Sequence, residues 1–203
     1  LPPENASTLH TSKHEWKDDE WLTIRTRYKP RNQPISIYEL HVGSWKKIGK
    51  RENLYRSIAK PLAEHVQRMG FTHVELLPIL HHPFYGSWGY QCLGYFAPSS
   101  FYGTPDDLKY LIDFLHRKNI GVILDWVPAH FPTDEHGLSN FDGQALFEYA
   151  DWRRGFHPDW KTAIFDYSRQ EVHSFLVSSA RYWIDEFHID GIRVDAVASM
   201  LYL

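Results

Sequence analysis

GIRVDAVASM, Gly191 to Met200, sets Ile192 and Val194 in alternation with Arg193 and Asp195. That is the two-residue period of a strand, here carrying two opposite charges along one face and ending on a carboxylate. An ion taken out of water costs several kcal/mol unless it is paired, so Arg193 and Asp195 are expected to lean on each other. Two readings stay open on this stretch alone: a structural ion pair on an edge strand, or a catalytic carboxylate held by a neighbouring guanidinium.

Working outward, the chain repeats one unit. Arg169 to Phe187 shows a helical period through Val172, Phe175, Leu176, Ala180, Trp183 and Ile184. Before it, GVILDWV (121–127) reads as a strand with the near-continuous apolar run of a parallel strand covered on both faces. A helix is expected from Thr104, its cap, with Pro105 at the first position and Leu108, Leu111, Ile112 and Leu115 as its buried stripe. HVELLPI (73–79) is a further strand, preceded by a helix with Ile58, Leu62, Val66 and Met69 on one side and Gly70 as its stop. ISIYEL (35–40) opens the series. Residues 1–33 are polar and broken by Pro2, Pro3 and Pro30, and read as a linker or tail from an upstream domain, with one short alternating run at Trp21–Ile24 suggesting a strand. The chain begins at Leu1, not Met, and a fragment is expected.

Strand and helix in strict alternation imply parallel strands and right-handed crossovers, which fits an open doubly wound sheet or part of an eight-fold barrel. The loops after strands are long (78–103 and 128–167) and those before strands short, and no phosphate-cradling glycine fingerprint follows a strand. This favours an α/β chain forming the N-terminal half of a (β/α)8 TIM barrel over residues 34–203, with a long excursion after the third strand. In such a barrel Asp125 and Asp195 at strand ends, His130, Arg193, and Tyr90 and Trp88 in the loop after the second strand converge on one mouth. Each alone has a plain alternative as a cap, a core histidine or packing.

Composition narrows the class. A formal charge of −3 over 203 residues without a basic block argues against a nucleic-acid partner. The single Cys92 precludes an internal disulfide. No apolar run reaches bilayer length and no signal-peptide core opens the chain, so no membrane partner and a cytoplasmic location are expected. The eight tryptophans mildly favour a carbohydrate site.

DWVPAH (125–130) and GIRVDAVA (191–198) resemble the third- and fourth-strand regions of the α-amylase family of glycoside hydrolases and transglycosylases. Within that family ELHVGSW (39–45), GFTHVELLPILHHPFYGSWGYQ (70–91), DWVPAHFPTD (125–134), DWRRGFHPDW (151–160) and RVDAVASM (193–200) are similar to the 1,4-α-glucan branching enzymes. The resemblance implies that Asp195 is the nucleophile of a retaining double displacement, that Arg193 orients it, and that Tyr90, Asp125 and His130 line the subsite of the sugar whose bond is cut, with Tyr90 stacked on its ring. The partner it implies is an α-1,4-glucan, cut and reattached through a 6-hydroxyl. A hydrolase or trehalose-forming relative, and a non-catalytic glucan-binding protein, are the alternatives. Where calcium-binding amylases carry Asn before the histidine this chain has Ala129, so no metal and no cofactor are expected, and His81 and His82 are read as surface or substrate-loop histidines. The acid/base Glu and third Asp of the family match nothing here, and Glu39 and Glu75 sit in the wrong strands. The 203 residues alone are therefore expected to be inactive.

Overall fold

The computed structural model describes residues 7–27, 33–48 and 53–202. Pro2, Pro3 and Pro30 lie outside the described residues. Helix α1 (Asp19–Arg27) comes first, then β1 (Ile37–Leu40), the short α2 (Val42–Trp45), α3 (Leu54–Met69) and β2 (His73–Leu76). A hairpin of β3 (Leu80–His81) and β4 (Gly94–Pro98) leads to α4 (Pro105–His116) and β5 (Gly121–Trp126). The excursion after β5 carries β6 (His130–Phe131), α5 (Trp152–Gly155), β7 (Phe156–His157) and β8 (Thr162–Ile164). Helix α6 (Gln170–Phe187), β9 (Gly191–Val194) and α7 (Val197–Leu201) complete the described chain.

Strands β1, β2, β5 and β9 form one parallel sheet in that order. The spatial order follows the sequence order without a reversal, which is barrel-type winding rather than the switch point of a doubly wound sheet. One face of the sheet is packed: Val74, Leu76, Val122 and Leu124 are fully buried, together with Ile58, Leu62 and Val66 of α3 and Leu108, Leu111, Ile112 and Leu115 of α4. The opposite face is open, with Ile37 exposed, Ile123 half-buried, and Glu39, Glu75 and Arg193 along it. In a closed barrel that face lines the interior, so half of a barrel leaves it uncovered.

Local chemistry explains the helix ends. At α4 the Thr104 side chain accepts from the Asp107 backbone while the Asp107 carboxylate accepts from the Thr104 backbone, and Pro105 fills the first position, where no intrahelical N–H is needed. At α3, Gly70 takes φ +78 and its N–H donates to the Gln67 carbonyl, a left-handed stop. Two stripe assignments differ. Met69 ends α3 next to this stop and is exposed, and Ile184 lies one residue past the Val172, Leu176, Trp183, Phe187 row of α6 and is exposed too.

The alternating run at Trp21–Ile24 is not a strand. It lies in α1, which has Asp19 and Glu20 in its first turn and Arg25 and Arg27 in its last, the charge order that complements a helix dipole. The long excursion after β5 is built around an antiparallel sheet in the order β6-β8-β7.

The loop that carries Tyr90 turns on Gly89, at φ +94. A Cβ there would stand 2.1 Å from the Pro78 carbonyl oxygen, a backbone contact that cannot yield. Gly89→Ala is therefore expected to destabilise the protein by about 1–3 kcal/mol and to pull Tyr90 out of place. Urea unfolding of the variant, with a crystal structure of its loop, checks both; an unchanged midpoint would refute the expectation.

Candidate active site

The C-terminal ends of β5 and β9 lie side by side, and their register sets Asp125 opposite Arg193. Arg193 Nη1 donates to Asp125 Oδ1 (2.9 Å) and Oδ2 (3.0 Å) and to Asp195 Oδ1 (2.7 Å). The guanidinium thus bridges two carboxylates, one across the strand pair and one two residues along its own chain. Tyr90 adds a third link, its hydroxyl donating to Asp125 Oδ2 at 2.7 Å. Four of the five residues that the family resemblance assigns to the site, Tyr90, Asp125, Arg193 and Asp195, are therefore joined in one hydrogen-bonded chain.

Their environments differ. Asp125 is buried, and burial pushes its carboxyl up, against the lowering by the Tyr90 hydroxyl and Arg193. The bond to Asp125 raises Arg193 in turn and more than offsets desolvation, so the guanidinium stays charged. Burial likewise raises the Tyr90 hydroxyl, with the bond to Asp125 adding to it, and keeps the phenol protonated as the donor. Asp195 sits where the strand has ended: its N–H donates to the Trp126 carbonyl (2.9 Å), and Ala196 behind it adopts φ +53. A left-handed alanine costs about 1–2 kcal/mol, strain that turns the chain into α7 directly after the carboxylate. Asp195 Oδ2 makes no hydrogen bond among the described residues, which leaves one carboxylate oxygen for chemistry.

His130 stands apart from this hydrogen-bonded group. It begins β6, is buried, and its Nδ1 has no partner among the described residues. Burial brings its pKa down to about 4, although Asp195 pulls the other way, so the imidazole is neutral near pH 7. Its ring lies 4.8 Å from that of Trp160, which in turn stacks on His157 at 3.9 Å. No sequence pattern marks Trp160 as a site residue beyond its place in the HPDWK turn (157–161) between two short extended runs. Trp88, exposed, adopts φ +56 and stacks loosely on His41. His82, expected at the surface or in the substrate loop, is instead fully buried, with Nδ1 2.8 Å from the Leu80 carbonyl oxygen and its ring 5.3 Å from that of Phe101.

Glu75 lies on the open face, where burial first, then Glu39 and Asp125, raise its carboxyl. Among the described residues no group of three or more His, Cys, Asp or Glu is placed to hold a metal ion, and no helix is long and apolar enough to cross a membrane.

A sequentially wound parallel sheet with a buried carboxylate, a bridging arginine and a second carboxylate gathered at its C-terminal edge is the architecture of a barrel-type α/β catalytic domain. The chain belongs to the alpha-amylase catalytic domain family, which matches residues 58–164. It is 59% identical over 205 aligned residues to the 1,4-alpha-glucan branching enzyme GlgB of Aquifex aeolicus and 58% identical over 203 to that of Thermobifida fusca. Each alignment covers the whole of this chain but only 32% and 26% of those proteins, so the chain spans about a third or less of the curated relatives it matches. The crystal structure of an assigned alpha amylase from Salmonella typhimurium superposes with a TM-score of 0.75 at 26% identity, over 95% of this chain and 30% of that one.

Proposed function

We propose that residues 34–203 are the first half of the catalytic barrel of a 1,4-α-glucan branching enzyme, with residues 1–33 leading in from an upstream domain. Its substrate is then an α-1,4-glucan, and its reaction the transfer of a cut segment to a 6-hydroxyl. The observation that carries this reading is Arg193, which ties Asp195 to the Tyr90–Asp125 pair at the mouth. The identity to named branching enzymes along the full chain supports it over a hydrolase. A cytoplasmic location belongs to the same proposal.

In this reading Asp195 attacks the anomeric carbon through Oδ2 while Arg193 holds Oδ1, so the carboxylate cannot rotate away from the bond it must form. The ester forms as the leaving glucan oxygen takes a proton from an acid group other than these residues, and a sugar 6-hydroxyl then displaces Asp195 with net retention while returning its proton to that same group, now the base. Asp125 is anchored from two sides, yet its Oδ1 accepts only from Arg193, which leaves a lone pair there for a hydroxyl of the bound sugar. Tyr90 and Arg193 thereby preset the subsite.

The test is the product. The full-length protein acting on amylose is expected to create α-1,6 linkages, seen in the anomeric proton NMR signals, with little gain in reducing ends. Reducing sugar rising in step with cleavage, without branch signals, would favour hydrolysis and overturn the proposal.

A further inference from the structure

We propose that Trp160 is a sugar-stacking platform beside the nucleophile, delivered there by the excursion that follows β5; the inference rests on the glucan reading above. The chain path is the first argument. β6 starts at His130 itself and pairs with β8, His130 opposite Ile164, while β8 pairs with β7, His157 opposite Thr162. The β7–β8 turn at residues 158–161 is closed by Lys161, at φ +53, whose N–H donates to the His157 carbonyl at 2.8 Å. A β-sheet of few residues thus starts at one mouth residue and returns an indole against that same residue.

The environment of the indole is the second. Its ring is stacked on His157 at 3.9 Å and 8° and leans on His130 at 4.8 Å and 41°. The Trp160 backbone N–H also donates to His157 Nδ1 at 3.4 Å, which fixes the imidazole under the ring. Backed this way the indole cannot collapse inward, and 40% of Trp160 remains exposed. A tryptophan whose task was packing would be covered, since its large apolar area gains most from burial. His130 follows by four residues Trp126, the end of β5, whose carbonyl accepts the Asp195 N–H at 2.9 Å, so the platform stands at the same end of the sheet as the reacting carboxylate.

The ligand class follows from the surface offered. A rigid, neutral π-face, negative at its centre, suits the polarised C–H groups on the flat side of a pyranose ring and has no charge to recruit an ion. Trp160 is thus a specificity-determining contact for a glucose unit adjoining the one held by Tyr90, Asp125 and His130.

The full-length protein carrying Asp195→Asn, which cannot turn over, is titrated with maltohexaose by calorimetry, alone and combined with Trp160→Ala or Trp160→Phe. The expected result is a roughly tenfold or larger rise in Kd for Trp160→Ala, a rise under about threefold for Trp160→Phe, which keeps a ring, and unchanged thermal midpoints. Affinity within twofold of the parent in Trp160→Ala overturns the platform while leaving the glucan reading intact. Equal losses in both variants with lowered midpoints show a packing role and overturn it as well. No maltohexaose binding by the parent itself sinks the glucan reading, and the platform with it.

Discussion

Asp195→Asn in the full-length protein is expected to lower kcat on amylose by about 10⁴-fold or more while leaving the fold and glucan binding in place. The size of the effect comes from the step that is lost: an amide oxygen is too poor a nucleophile to form the glycosyl ester. The preservation of structure comes from geometry. Asn keeps an oxygen acceptor where Arg193 Nη1 now finds Asp195 Oδ1 at 2.7 Å, and the Asp195 N–H to Trp126 carbonyl bond does not involve the side chain. The variant therefore separates chemistry from positioning. Branch formation by iodine staining and NMR, with mass spectrometry to exclude deamidation, gives the readout; activity within tenfold of the parent would remove Asp195 from the nucleophile's role.

How this site was visible in sequence, and where it was not, follows from the range of each signal. Local patterns carry far. The alternation at Ile192–Asp195 placed the two charges on one face, and Thr104-Pro105 marked the start of α4 because the capping chemistry is contained in four residues. The parallel order of β1, β2, β5 and β9 was also legible, since strand-helix alternation leaves few other topologies. Register between strands was not. That Arg193 faces Asp125 across β5 and β9 depends on a pairing 68 residues apart that no local period encodes. Trp160 escaped for the same reason: two-residue strands such as β6 and β7 are too short to show a period, so the sheet that aims the indole has no local signature. The run Trp21–Ile24 misled because four alternating residues fit a strand and a helix turn equally, and its tertiary partners decide the outcome.

Those partners set the largest stability effect expected in the molecule: His116→Ala should destabilise it by about 3–5 kcal/mol and release the segment from His10 to Arg27. The His116 side chain is fully buried, with Nδ1 2.8 Å from Asp18 Oδ2 and Nε2 2.9 Å from Asp190 Oδ2. Ionised carboxylates only accept hydrogen bonds, so both ring nitrogens must carry protons and the residue is an imidazolium. Asp18 Oδ2 is shared with His188 Nδ1 at 2.8 Å, and Asp190 also accepts from Trp21 Nε1, Arg25 Nη1 and the Val122 N–H, which ties α1 to the start of β5 and β9. Burial alone lowers the pKa of His116, but the bonds to Asp18 and Asp190 outweigh it and the net shift is upward. For Asp18 burial acts upward, and the bonds to His116 and His188 outweigh it and hold the carboxyl at about 2; Asp190 is lowered against burial in the same way, chiefly by His116. A raised histidine contributes stability fully present below its unfolded pKa, about 6.5, and lost as pH rises through its higher folded value. The lowered carboxylates contribute above about 3.9 and lose that contribution as pH falls through their folded values. Urea unfolding of the full-length protein should therefore show this cluster most stabilising between about pH 4 and 6.5, with a decline on the alkaline side. In His116→Ala two buried carboxylates lose their shared cation and keep only His188 on Asp18 and Arg25, Trp21 and the Val122 N–H on Asp190, so the alkaline decline attributable to His116 disappears and acid becomes less harmful, because protonation relieves carboxylates left with less compensation. Nitrogen NMR shifts of His116 give a reading independent of unfolding: both ring nitrogens should report protonation at pH 6. A single protonated nitrogen there, or an unfolding profile with the same pH dependence in the variant as in the parent, would show that His116 is held as a neutral ring and that the segment is docked by its other contacts.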